Sequence, residues 1–68
     1  MPKAARVLAA LKRDGWVEVR RRGSHVTLEK NGRRVRWTHH HGTDLGGPMM
    51  AKTARSFGYT LEELRRMV

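Results

Sequence analysis

Apolar residues recur in the first dozen positions at helical spacing. Ala4, Val7, Leu8 and Leu11 lie three and four apart and predict a helix from Lys3 to Arg13, with its basic residues around the remaining surface. Lys12 and Arg13 suit the negative end of that helix, and Gly15 marks its stop. The period then shortens to two. Trp16 to Arg20 predicts a short strand, with Val17 and Val19 on one side and Trp16, Glu18 and Arg20 on the other. Arg21, Arg22 and Gly23 are expected to turn the chain. Ser24 to Lys30 and Arg33 to His39 alternate again around Asn31-Gly32, a dipeptide that tolerates positive φ and signals a two-residue hairpin.

That turn sets a register. Lys30 pairs with Arg33, Glu29 with Arg34, Leu28 with Val35, Thr27 with Arg36, Val26 with Trp37 and His25 with Thr38. The register sorts the side chains: Val26, Leu28, Val35 and Trp37 share a face fit for burial, and His25, Thr27, Glu29, Arg34 and Arg36 share the other. After a loop from His39 to Gly47, Pro48 suits the first turn of a second helix, with Gly47 as its cap. Met50, Ala54 and Phe57 form its apolar stripe, and Gly58 ends it. Met49 is also assigned to the core. Thr60-Leu61-Glu62-Glu63 is a capping box that opens a short final helix through Leu64 and Met67. The fold class is α+β: an α-β-β-β-α order, a three-stranded antiparallel sheet packed on two helices, and a short C-terminal helix.

Sixty-eight residues are expected to form one domain, residues 1–68. The chain has no cysteine, which excludes a disulfide framework and fits a reducing, cytoplasmic setting. No apolar run is long enough to span a membrane, and Arg6, Lys12 and Arg13 interrupt what a secretory leader would need. Fifteen Lys and Arg against six Asp and Glu leave a formal net charge of +9. An excess of that size repels itself within a small domain and points to an anionic partner, nucleic acid first.

The charge gathers around the sheet. Arg20, Arg21, Arg22, Arg33, Arg34 and Arg36 bracket His25, with Glu18 and Glu29 as the local compensation. Ser24 has the opposite parity to His25, so the two do not form a nucleophilic pair. Trp37 shares parity with Val35 and belongs to the core, whereas Trp16, first in its strand, can turn either way. His39, His40 and His41 look like a metal cluster, but a zinc site takes three or four protein ligands and only Asp44 and His25 can supplement the run. Contact of His40 and His41 with RNA or a protein partner, or packing at the strand end, is the simpler reading. No metal or other cofactor is expected.

Gly15-Trp16 after a basic helix and Arg22-Gly23-Ser24-His25 opening the second strand resemble the HicA-type messenger-RNA interferase toxins. The likeness continues through His40-His41-Gly42, Asp44-Leu45, the helix stop at Gly58 and Thr60-Leu61-Glu62-Glu63-Leu64. It implies a fold similar to a double-stranded-RNA-binding domain, metal-independent cleavage of mRNA, and neutralisation by a HicB-type antitoxin. The catalytic role of the family's Gly-Ser-His histidine maps onto His25. Arg20, Arg21, Arg22, Gly23, Ser24, Arg34 and Arg36 are the expected RNA-binding positions. The family often carries Lys ahead of Asp-Leu and Lys-Pro-Gly ahead of the second helix; this chain has Thr43 and Leu45-Gly46-Gly47-Pro48. Two other readings are a non-catalytic RNA-binding module that uses the same basic face, and a domain that acts only within a protein complex.

Overall fold

A computed structural model describes residues 1–68. The elements follow the expected order: α1 (Ala4–Arg13), β1 (Val17–Arg22), β2 (His25–Lys30), β3 (Arg33–Trp37), α2 (Gly47–Phe57) and α3 (Leu61–Met67). The three strands form an antiparallel sheet in the order β1-β2-β3. The helices cover one face of it, in an α+β arrangement like that of a double-stranded-RNA-binding domain, and α3 is added at the end.

The β2–β3 hairpin has the expected register from Lys30↔Arg33 to Val26↔Trp37. Asn31 and Gly32 both adopt positive φ, 51° and 80°, as a two-residue hairpin turn with the sheet's own twist requires. The ladder stops at Trp37, so His25 does not pair with Thr38. Its partner is Arg22 of β1.

The first hairpin departs further from expectation. Arg21 and Arg22 are not turn residues; β1 runs on to Arg22, and Gly23-Ser24 makes the turn. Gly23 takes φ +63° there, with open space where a Cβ would stand, so backbone conformation is what asks for glycine. The register also shifts between Glu18 and Arg20. Val19 is the extra residue of this bulge, and it resets the alternation. Glu18 opposes Leu28, on the covered face, whereas Arg20 opposes Thr27, on the open one. The expected grouping of Glu18 with Arg20 therefore fails, and Val17 and Val19 are both exposed.

The core holds Ala4, Val7, Leu8 and Leu11 of α1, Val26, Leu28 and Trp37 of the sheet, and Met50, Ala54 and Phe57 of α2. Leu45 and Leu64 join from the loop and α3. Trp16 turns inward, edge-on to Phe57 at a centroid distance of 4.8 Å. Met49 is exposed rather than buried, because the α2 stripe follows Met50, Thr53, Ala54 and Phe57. The buried Trp16 Nε1 donates to the Tyr59 hydroxyl at 2.9 Å, Tyr59 donates to Asp14, and Lys30 donates to the same carboxylate at 2.9 Å. Gly15-Trp16 is thereby tied to the far end of the chain. The Tyr59 hydrogen bond, then that of Lys30, holds Asp14 below the usual carboxylate range.

Lys3 is the N-cap of α1, and its side chain makes no capping bond. The orphan N–H groups are met by the loop instead: Ala4 donates to the Thr43 carbonyl at 2.8 Å and Ala5 to that of His41 at 3.1 Å. Leu45 N–H in turn donates to the Pro2 carbonyl at 2.9 Å, and Lys3 pairs with Asp44 at 2.9 Å. Helix α2 starts at Gly47 with Gly46 at its cap, one residue earlier than expected. Gly58 ends α2 in the left-handed region, and Thr60 and Glu63 complete the capping box of α3. No helix is long and apolar enough to cross a membrane.

Candidate functional site

The bulge at Val19 decides which arginines meet His25. Beyond it, Arg20 opposes Thr27 and Arg22 opposes His25, so all four side chains belong to the open face of the sheet. Arg36 opposes Thr27 from the other strand. Together Arg20, Arg22, His25, Thr27 and Arg36 line a cavity of about 340 Å³ that has no apolar and no acidic member. The core does not need these residues: all but Thr27 are exposed.

The distribution of carboxylates sharpens this picture. All six are engaged elsewhere. Asp14 takes Lys30 at 2.9 Å, Glu29 takes Arg34 at 2.6 Å, Asp44 takes Lys3 at 2.9 Å and Glu62 takes Arg66 at 3.8 Å. Glu63 is spent on the capping box. Glu18 accepts from Arg21 Nε at 2.9 Å and Nη2 at 3.2 Å, with Lys12 at 3.7 Å. The Arg21 guanidinium holds Glu18 below the usual carboxylate range. Arg20, Arg22 and Arg36 form no ion pair, so the uncompensated charge of the sheet is concentrated around His25.

The other expected site residues divide around this cavity. Arg34 shares the open face, but it is paired with Glu29 and lies two residues along β3 from Arg36 toward the turn. Arg21 opposes Val26 and belongs to the covered side. It lines a separate space of about 160 Å³ with Ser24, His39, His40 and His41, over Leu8, Val26 and Trp37. Ser24 and His25 therefore face apart, as their parity predicts. Gly23 occupies the turn between the two spaces.

The histidine run is drawn into structure rather than gathered as ligands. His41 gives its carbonyl to the α1 N-terminus. His39 is half-buried, edge-on to Trp37 at 5.0 Å and within 3.3 Å of Thr53 Oγ1. Burial first, and then the charge of Lys52, pushes its pKa below the ordinary imidazole value. No three His, Asp or Glu side chains stand together in a position to hold a metal ion.

An imidazole beside three unpaired guanidinium groups can take a proton from a hydroxyl next to a bound phosphodiester while the guanidinium groups hold the phosphate oxygens. Comparison with protein-family models adds the context: residues 4–62 match the HicA toxin of bacterial toxin-antitoxin systems. The chain belongs to the HicA toxin family. The match spans α1 through the first two residues of α3 and includes every residue of the His25 cavity. Neither curated proteins nor solved structures return a significant match. A HicA toxin belongs to a toxin-antitoxin system, which implies a neutralising antitoxin as partner. One member of the cavity escapes the sequence reading: Thr27 shows only as a polar strand residue.

Proposed function

We propose that this HicA toxin is an endoribonuclease that cleaves mRNA at the His25 cavity. The observation that carries this reading is the grouping of one imidazole with Arg20, Arg22 and Arg36, free of any carboxylate. The ribose 2′-oxygen attacks the adjacent phosphorus, and the bond to the 5′-oxygen of the next nucleotide breaks. The products are a 2′,3′-cyclic phosphate and a free 5′-hydroxyl. His25 takes the 2′-hydroxyl proton as general base. The three arginines stabilise the charge that gathers on the phosphate oxygens, as preorganised donors do without reorganising during the reaction. The cavity offers no second imidazole and no carboxylate, so the leaving oxygen takes its proton from water.

In this reading the domain, residues 1–68, acts in the cytoplasm as the toxin of a type II module. A HicB-type antitoxin with an acidic surface inhibits it by covering the open sheet face. Complementary charge speeds such an association and blocks the phosphate-binding groups at once. The family resemblance implies cleavage without a metal ion. Incubating purified protein with end-labelled single-stranded RNA in EDTA tests the proposal. We expect cleavage with cyclic phosphate ends, undiminished by the chelator. RNA that binds but stays intact would favour the non-catalytic alternative, and cleavage abolished by EDTA would overturn the metal-independent mechanism.

A further inference from the structure

Arg36 borders more than one space. It lines the His25 cavity and also a second one, of about 270 Å³, between β3 and α2. The second cavity is walled by Thr38, Met49, Lys52 and Ser56, with Trp37 and Phe57 among its lining residues. Because β3 is an edge strand, this space opens directly beside the catalytic face. We infer that it is a subsite for a nucleotide adjoining the scissile phosphate, reached by an RNA strand that passes over Arg36. The inference rests on the RNA-cleaving reading and names where its substrate continues.

Three features fit a nucleotide there. Lys52 has no acidic partner, and α2 contains no Asp or Glu at all, so a phosphate meets an uncompensated cation. Met49 is 39% exposed on a helix whose other large apolar residues are buried, and it offers an apolar surface for a base. Thr38 is exposed and hydrogen-bonded to nothing through its hydroxyl, while Ser56 Oγ donates back to the Lys52 carbonyl at 3.1 Å and keeps its acceptor capacity. No carboxylate lines this cavity either, so the run of unpaired cations continues from Arg20, Arg22 and Arg36 to Lys52.

Binding of an uncleavable 2′-O-methyl single-stranded RNA, followed by fluorescence anisotropy across a salt series, tests the subsite. Removing one phosphate contact should make the slope of log K against log salt less negative by about 0.7. Lys52→Ala should show that change and bind about tenfold more weakly at low salt. Lys52→Arg should keep the parent slope. Arg55→Ala is the control, because Arg55 is an exposed, unpaired cation on the same helix that lines neither cavity. A parent slope in Lys52→Ala, or an equal change in Arg55→Ala, overturns the subsite while leaving RNA binding at His25 intact. An unchanged RNA slope with a weakened antitoxin complex assigns the cavity to the protein partner and also overturns it. A parent protein that binds no RNA overturns the RNA reading and the subsite together.

Discussion

Replacing His25 with alanine is expected to slow RNA cleavage by about a hundredfold or more, the usual size of a general acid–base contribution. The cavity contains no other imidazole and no carboxylate to take over the proton. Folding should be preserved, since His25 is exposed on the open face and opposes the exposed Arg22. A surface change of this kind shifts stability by at most about 0.5 kcal/mol, which thermal unfolding checks directly. Binding should also persist, because the guanidinium groups remain. The histidine run supplies the comparison. His40→Ala and His41→Ala should leave the cleavage rate near that of the parent, because those residues line a different space. A His25→Ala protein that cleaves at the parent rate would remove the catalytic assignment.

The second large effect should come from the Arg22→Ala/Arg36→Ala double substitution. A hydrogen bond between charged partners contributes about 1.5–3 kcal/mol, so losing two should weaken RNA binding by more than about a hundredfold. The salt slope should become less negative by about 1.4, from two phosphate contacts at about 0.7 each. Arg21→Ala/Arg34→Ala removes the same charge from the same sheet. Its effect should stay below about tenfold, because Arg21 is held by Glu18 and Arg34 by Glu29. Anisotropy titrations of both double variants separate a local arginine cavity from a diffuse positive field. Equal losses would mean that net charge, and not placement, governs binding.

The contrast between the two arginine pairs also shows where the sequence is readable. The β2–β3 register follows from Asn31-Gly32, because a two-residue turn leaves one alignment, and only that alignment puts Val26, Leu28, Val35 and Trp37 on one face. That register puts His25, Thr27 and Arg36 on the open face, although His25 pairs with Arg22 and not with Thr38. The apolar stripes of α1 and α2 and the capping box of α3 are equally local signals. Strand β1 is not legible in the same way. Its bulge adds one residue at Val19, and nothing in Trp16–Arg22 distinguishes a bulge from strict alternation. That residue sends Arg21 to Glu18 and brings Arg20 and Arg22 to His25. The His39–Gly46 loop hides its role for another reason: it caps α1 through carbonyl oxygens, which every residue possesses. The Lys52 cavity depends on how α2 lies beside the edge of β3, a tertiary relation that no short motif encodes.

Amide chemical-shift mapping with an uncleavable 2′-O-methyl RNA tests most directly whether the open sheet face is the site. The sheet separates two candidate spaces: Arg20, Arg22, His25, Thr27 and Arg36 on one side, and Arg21, Ser24, His40 and His41 on the other. The largest shifts are predicted for the first group, extending through Thr38 to Lys52. Shifts centred on Arg21, Ser24, His40 and His41, with His25 and its arginines unmoved, would contradict the account.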